Sequence, residues 1–457
     1  MTREHLETLT REELIDLILQ LQTAVTEVKA KVAELEAQLA GKKPPPKTSS
    51  NSSVPPSSQR KGNNRSTRST RRKKRGAKHG HVGKSRVRVE PDVFIECKLD
   101  TCPDCGADLQ DVEQKVVGSS QVVEIPPVQP VVIEAQRYGC TCPDCGREQA
   151  ADYPDGMESE RVFGCRLTAL VTYLHEIHHM SYVRLQTVLG ILFGLTVSVG
   201  GLVNLVKRTG SKLRPVADEI LDEIRHSQVV GSDETGARVD GKNQWQWVFV
   251  TEKATYHVIA PSRGAVVIEE VMGEAQPVVW VRDLWSAQCK GPGKRHQLCH
   301  AHQLRDLQYA VDSEGSYWAY MMQRSLLHSQ RLVKHRERLP PEIFQREVEK
   351  VEATLDDLLE WEVRGINTLR LQKRYRKHRD SLFVFLYIPG VPCDNNASER
   401  ALRNSVIHRK VSGGFRSDVG AEAHAIVSSV VDTARKRGEN VFETLQGHIG
   451  SPAPVGV

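Results

Sequence analysis

Near the start of the chain hydrophobic residues recur in steps of four and three: Leu14, Ile18, Leu21, Val25, Val28, Val32, Leu35 and Leu39, with charged residues between them. This is an a/d seam, the pattern of a coiled-coil helix, and it assigns residues 1–40 to one. Thr10 and Glu13 supply a capping box at its start. The pattern then vanishes. Residues 41–90 are low in apolar side chains and rich in Pro, Ser and Asn, so they cannot build a core and are expected to be a disordered linker. Residues 91–150 return to β-rich spacing, most clearly over 116–132. Residues 151–228 read as helices. Within them, residues 187–206 hold no charge and approach the length of a bilayer span, but four glycines with Thr196, Ser198 and Asn204 argue for a helix-turn-helix instead. It would run over 182–192 and 199–209, with Phe193-Gly194-Leu195 as the turn and Ser198 as N-cap.

The pattern changes again at Val229. Val229 and Val230 open a strand, Asp240-Gly241-Lys242-Asn243 has the composition of a hairpin turn, and Trp245, Trp247 and Phe249 alternate with Gln246 and Val248 in a second strand. Asp233 falls within the first strand, in a mostly apolar setting where an acid is costly unless something pairs with it. A third strand is expected at 255–260, a helix at 265–272, and a continuous apolar strand at 277–283 that ends in Asp283. Acids at the carboxyl ends of such strands are where α/β sheets place their sites. His296-Gln297-Leu298-Cys299-His300-Ala301-His302 reads as a strand running into a helix, with metal binding as the alternative. Residues 311–390 are charged and helical, an insertion within the sheet domain. At Pro392-Cys393-Asp394-Asn395-Asn396-Ala397-Ser398-Glu399-Arg400-Ala401-Leu402-Arg403, Asp394 can cap a helix that carries Glu399 and Arg403 one turn apart. A last helix runs to about Lys436, and 441–457 is left as a tail.

Charge sharpens this picture. The formal net charge is +6, but residues 60–90 alone hold 13 Lys or Arg against one Glu, a local +12 that leaves the rest of the chain at −6. Arg71-Arg72-Lys73-Lys74-Arg75 is the densest part. A segment of this kind is expected to be a phosphate-binding arm, with a solvated charged linker as the alternative or in addition, and without interleaved aromatics it is not expected to read sequence. The N-terminal stretch is acidic and amphipathic, so no signal peptide and no membrane span are expected.

Ten cysteines are too sparse for a disulfide scaffold in a chain of 457 residues. Four of them form a near-repeat, Thr101-Cys102-Pro103-Asp104-Cys105-Gly106 and Thr141-Cys142-Pro143-Asp144-Cys145-Gly146. Two matched Cys-x-x-Cys knuckles make a tetrahedral thiolate site for a structural Zn²⁺, as in a zinc ribbon, and imply a reduced compartment. His175-Glu176-Ile177-His178-His179 matches a zinc-protease pattern. Leu167, Leu170, Val171 and Leu174 nevertheless give that helix a packing stripe, and no third ligand follows in a matching motif.

Several of these pieces resemble the insertion sequence 66 (IS 66) family of bacterial DDE transposases. They are Asp233-Glu234-Thr235 with its hairpin and Trp245-x-Trp247 strand, Asn51-Ser52-Ser53-Val54-Pro55-Pro56-Ser57, Gly80-His81-x-Gly83, the Phe193-Gly194 turn, Cys299-x-x-His302, Asn396-x-x-Glu399-Arg400-x-x-Arg403, and the Gly413-Gly414-Phe415 turn. Their order, more than any single motif, carries the resemblance. One departure is Arg282-Asp283-Leu284-Trp285, where the family more often has a Ser-Asp-Gly type of sequence. The resemblance implies an RNase H-like α/β catalytic core, a mixed sheet with flanking helices and a helical insertion, preceded by the coiled coil, basic linker and zinc ribbon. On this reading 229–310 and 391–440 are the two parts of the catalytic domain and 311–390 the insertion. It implies Asp233, Asp283 and Glu399 as a catalytic triad holding Mg²⁺ or Mn²⁺, with Glu234 as rival for the first position. Arg400 and Arg403 are then phosphate contacts, unless they pair with Glu399. The activity implied is cleavage of element-end DNA and its transfer to target DNA. The partners implied are that DNA, a second copy through the coiled coil, and helper proteins of the same element, in the bacterial cytoplasm and on the nucleoid when DNA-bound. Two other classes compete: a non-catalytic zinc-dependent DNA-binding protein built on a decayed transposase, and a metalloprotease through His175 and His179.

Overall fold

The computed structural model describes residues 10–40, 45–48, 51–52, 82–83, 86–154, 157 and 163–450. The basic run Arg71–Arg75 and the Gly80-His81 pair lie outside the described residues, as do residues 53–57 and 451–457. The chain divides into two compact units. One comprises residues 1–60, 152–181 and 203–457, the other 61–151 and 182–202.

The second unit is built from short local pieces. Strands β1 (Gly139–Thr141) and β2 (Glu148–Ala150) pair antiparallel around the second cysteine knuckle. A single antiparallel bridge, Thr101 to Asp108, closes the first. The β-rich stretch expected over 116–132 forms no strand. Pro126, Pro127 and Pro130 remove ladder donors there, and Val116, Val117, Val122 and Ile125 stay exposed, with no strand among the described residues to pair with. Helix α3 (Tyr182–Phe193) ends at Gly194, and Ser198 caps the next helix, its Oγ accepting the Gly201 amide at 3.0 Å. The helix-turn-helix outline is therefore present, but the helix after the turn does not stop near Thr209.

In the first unit, helix α1 (Arg11–Ala40) starts at the capping box: the Thr10 amide donates to Glu13 Oε2 at 2.8 Å and the Glu13 amide to Thr10 Oγ1 at 3.4 Å. Part of the presumed linker is seated rather than loose. Asn51 and Ser52 are buried, and Asn51 Nδ2 donates to Asp312 Oδ2 at 3.4 Å. Helix α2 (Cys165–Thr172) runs into a π-helical turn, Tyr173–Ile177. Helix α4 (Val199–Arg225) is 27 residues long and carries Pro215 inside it. Its buried stripe Leu213, Ala217, Ile220, Ile224 steps by four and three along one face, which explains why it continues.

The sheet follows. Strand β3 (Val229–Val239) turns at Asp240 and Gly241, both with positive φ (47° and 72°), into β4 (Lys242–Val250). This is the backbone that an Asp-Gly turn favours. Strand β5 (Thr255–Ala260) pairs antiparallel with β4. Helix α5 (Val266–Met272) crosses to β6 (Val279–Arg282), which lies parallel to β3, and β7 (Arg295–Leu298) lies parallel to β6. The order is β5-β4-β3-β6-β7, a mixed sheet.

Beyond β7 come α6 (His300–Glu314), α7 (Tyr317–Lys334), α8 (Pro341–Glu360), α9 (Ile366–Lys377) and the short α10 (Val384–Tyr387). They share a core of Trp318, Met322, Phe344, Leu355, Tyr375 and Phe385 that reaches Val279, Val281 and Leu298 of the sheet. Then α11 (Asn396–Ser412) and α12 (Asp418–Arg437) return to the sheet. Leu402 of α11 packs on Val248 and Val250. The other face, with Val230, Trp247, Phe249 and Trp280, is covered by α4, α5 and α12. Along α12, Ser429 and Thr433 accept from the amides of His257 and Thr255, so the exposed edge of β5 is closed by hydroxyls.

Residues 441–457, expected as a tail, open with a helix instead. Helix α13 (Val441–Ile449) is capped by Asn440, which accepts from Phe442 and Glu443, and it buries Leu445 and Ile449. Leu445 and Ile449 lie one turn apart, enough for an apolar face but too short a run to stand out in the sequence. No helix among the described residues is long and apolar enough to cross a membrane.

Candidate active site

Strand alternation decides which acid faces where. Asp233 pairs with Val248 and Glu234 with Trp247, so the two neighbours point to opposite faces of the sheet. Asp233 shares its face with Val248 and Val250, the face on which α11 packs. The parallel register of β3 with β6 pairs Gly231 with Val281. Continued by two residues, it brings Asp283 level with Asp233, just beyond the carboxyl end of β6. Glu399 comes from the first turn of α11.

Asn395 fixes where that turn sits. Its Nδ2 donates to the Ser232 carbonyl at 2.7 Å, its amide donates to Cys299 Sγ at 3.1 Å, and its Oδ1 accepts from Ser398 Oγ at 2.8 Å. Asn395, not Asp394, is the helix N-cap residue, while the Asp394 carboxylate accepts the Asn396 amide at 3.0 Å. Asn395 is fully enclosed and ties the start of α11 to the strand that carries Asp233.

The acids sense one another. Burial, then the charges of Glu234, Asp283 and Glu399, hold the Asp233 carboxyl well above the usual carboxylate range, and the hydrogen bond it accepts from the Glu234 amide only partly opposes this. Asp283 Oδ1 accepts the Trp285 amide at 2.8 Å. Glu399 Oε1 is buried with no hydrogen-bond partner and lies 3.7 Å from His302 Nε2, and Oε2 lies 3.9 Å from Arg305. An orphaned carboxylate oxygen, facing two further acids on other elements, fits a hard divalent cation such as Mg²⁺ or Mn²⁺. Among the described residues the three carboxylates are not drawn within 4.8 Å of one another; Glu399 groups instead with Cys299 and His302. Burial pushes the Cys299 thiol up to about 12, and its sulfur takes the Asn395 amide, so it packs as a neutral thiol.

Glu234, the rival for the first position, is committed elsewhere. Gln288 Nε2 donates to its Oε2 at 2.9 Å and Arg263 to its Oε1 at 3.0 Å. The Arg263 guanidinium lies between the rings of Trp245 and Trp285, 4.4 and 3.7 Å from their centroids. Trp285 belongs to the Arg282–Trp285 run that departs from the family pattern. Arg282 is buried, donating to His296 Nδ1 at 2.7 Å and to Cys289 Sγ. Arg263, Gln288 and Asn395 were not singled out from the sequence. Their partners lie 29, 54 and 163 positions away. Arg400 and Arg403 are exposed on α11, and the basic side chains beside Glu399 are His302 and Arg305 instead.

In the second unit each cysteine knuckle is formed. The Gly106 and Gly146 amides close the two turns onto the Cys102 and Cys142 carbonyls, both at 2.9 Å. Backbone amides of Asp104 and Cys105 lower the Cys102 thiol, and those of Cys145 and Asp144 lower Cys142. Lowered thiols are ready zinc ligands, so the donor set Cys102, Cys105, Cys142 and Cys145 fits Zn²⁺. Among the described residues the two knuckles are not gathered into one cluster.

A mixed sheet with flanking helices, together with a paired cysteine module that fits zinc, defines the class as an α/β protein with a zinc module. Its family is shown by comparison. The profile of the Transposase IS66 family matches residues 160–423, more than half of the chain, and that of the zinc-finger binding domain of transposase IS66 matches residues 100–146. The chain belongs to the IS66 transposase family. It is also similar to the Uncharacterized protein y4jO of Sinorhizobium fredii (strain NBRC 101917 / NGR234), 33% identical over 81 residues. That match spans 18% of this chain and a quarter (25%) of the relative's length.

Proposed function

We propose that the protein binds the ends of its own element and catalyses metal-dependent DNA cleavage and strand transfer. What supports this reading is the placement of Asp233 on β3, of Asp283 level with it just past the end of β6, and of Glu399 in the first turn of α11, which Asn395 ties to β3. The mixed sheet, with its acids beside adjacent parallel strands, supports an RNase H-like core. Two divalent ions, when bound, activate the attacking oxygen and stabilise the leaving oxygen of an in-line displacement at phosphorus. The chain's own part is to hold the acids. Asp233 sits on the sheet and Asp283 just past the end of β6, and Asn395 sets the height of Glu399. Arg263 pairs with Glu234 and offsets part of its charge beneath them. The exposed Arg400 and Arg403 stand on the same helix as Glu399 and suit phosphate contacts.

The same reading gives the remaining parts their tasks. Arg71–Arg75 grip the DNA backbone, the four-cysteine zinc module supports DNA binding, and α1 pairs with a second copy. Ile18, Leu21, Val25 and Val28 on one stripe of α1 are each more than half exposed, as a self-association seam requires. The domain division drawn from the sequence, cytoplasmic residence and helper proteins of the same element belong to this proposal too.

The test is cleavage and strand transfer on DNA carrying the element's ends, with Mg²⁺ or Mn²⁺, for wild type and Asp283→Asn. The wild type should cut only with metal, and the variant should bind the same DNA while losing at least about 100-fold in rate, the scale of a lost electrostatic contact to the reacting centre. Wild type that binds but never cuts would leave the non-catalytic DNA-binding reading in its place.

A further inference from the structure

The segment after α2 departs twice from regular backbone. Tyr173–Ile177 is a π-helical turn, and His179 has a φ of +55°. A left-handed non-glycine residue is a strained backbone state, and π turns within helices are often found at functional sites. The distortion delivers Glu176 into a closed interior within the first unit. There Glu176, His408 of α11 and His424 of α12 are 3%, 4% and 0% exposed, and each brings a ligand atom within 4.8 Å of the others. His424 Nδ1 lies 2.5 Å from Glu176 Oε2, and its Nε2 lies 3.2 Å from Ser405 Oγ. The rings of His175 and His179 stand 6.0 and 5.7 Å from that of His408. Two nitrogens in this cluster, His408 Nδ1 and His179 Nδ1, are buried with no hydrogen-bond partner. Such nitrogens nearly always have one.

One carboxylate with two imidazoles is a nitrogen-oxygen ligand set for a divalent transition ion, zinc before the harder cations.

We infer that Glu176, His408 and His424 form a metal site, separate from the cysteine module and from the acids of the sheet, that takes a zinc-like divalent ion. It clamps three elements: the 173–177 turn, α11 and α12. Helix α11 carries Glu399 in its first turn and His408 near its other end, while Asn395 ties the first turn to β3. The ion therefore fixes the far end of the helix whose near end faces Asp233. The site stands on its own ligands; only its consequence for Glu399 rests on the proposed function.

The test uses the full-length chain with Cys102, Cys105, Cys142 and Cys145 all changed to Ser, loaded with Zn²⁺, desalted and assayed for metal by mass spectrometry. One retained equivalent of zinc is expected. Cobalt(II) in its place should give visible d–d bands with no thiolate charge-transfer band. Adding His408→Gln should abolish retention, and Glu176→Gln should weaken binding at least about tenfold, the scale seen even for outer partners of ligands. No retained zinc in the four-serine chain overturns the inference, and so does retention that His408→Gln leaves unchanged, because the ion would then sit elsewhere. Should His408→Gln fail to fold, the cobalt spectrum of the four-serine chain decides alone, and the absence of d–d bands overturns the site. Failure of the cysteine module is distinguishable: the unsubstituted chain would then hold no more zinc than the four-serine chain.

Discussion

At the scale of single residues, Asp233 and Glu234 are adjacent in sequence and opposite in circumstance. Glu234 has Arg263 and Gln288 as partners, whereas Asp233 has one backbone amide and three other acids around it. Its carboxyl is raised, so between the ordinary carboxylate value and the raised one the folded chain keeps a proton that the unfolded chain has lost. Stability therefore falls as pH rises through that window. Asn at this position can still accept the Glu234 amide but carries no charge. In chelator at neutral pH, Asp233→Asn should melt above wild type, by roughly 2–4 °C for each kcal/mol relieved, with the gain shrinking as pH drops into the ordinary carboxylate range. Mn²⁺ should narrow or reverse the order by stabilising wild type alone. Thermal melts across pH decide it, and a variant less stable than wild type in chelator at neutral pH would show that Asp233 bears no electrostatic penalty. The choice between these two acids was half legible in the sequence. Period-2 alternation says that they face opposite ways, but not which face receives α11. That depends on Leu402, Ala397 and Ala401 packing on Val248 and Val250, contacts made across about 150 residues of intervening chain.

Among elements, the seating of α11 on β3 is the contact that shapes the site. Gly231 makes it possible, since a Cβ there would lie 2.9 Å from Asn395 Oδ1 and 3.2 Å from Ser398 Oγ. Both atoms are buried and bonded to each other, so neither can swing aside freely. Gly231→Ala should cost about 1–3 kcal/mol, as overpacking does elsewhere. Because the strain falls between Asp233 and Glu399, it should lower cleavage far more than DNA binding. Equal losses in both assays would mean that the substitution acts through global unfolding. The elements themselves were legible where local chemistry decides them: the Asp-Gly hairpin, the strand over 255–260, and the apolar strand before Asp283. They were not legible where pairing decides. Residues 116–132 have strand composition but no partner strand among the described residues, and α13 is too short to announce itself without the core that receives Leu445 and Ile449. Glu176 shows a third way of going unread. Its neighbours His175 and His179 form a familiar spacing, yet the carboxylate turns to His424, 248 positions away.

For the whole molecule, the proposed function has charge separate what would grip DNA from what would cut it. The 13 basic side chains of residues 60–90 sit on a chain that is otherwise net acidic. The candidate acids of the sheet would repel a phosphate backbone unless cations stand between them, so overall affinity must come from elsewhere, and the arm is the densest source of positive charge. Each phosphate contact releases condensed counterions on duplex binding, which steepens the fall of affinity with salt by about 0.9 in log–log slope per contact. Changing Arg71, Arg72, Lys73, Lys74 and Arg75 together to Ala should therefore weaken binding most at low salt and flatten the slope by up to that amount for each charge removed. Preference for element ends over unrelated DNA should hardly change, because contacts to phosphate carry no sequence. Titrations of both DNAs at several salt concentrations separate the two effects. An unchanged slope would assign the electrostatic grip to the folded units, with Arg400 and Arg403 the first residues to examine. A lost preference at unchanged slope would make the arm a reader of sequence, against its lack of aromatic and amide side chains between Arg71 and Arg75.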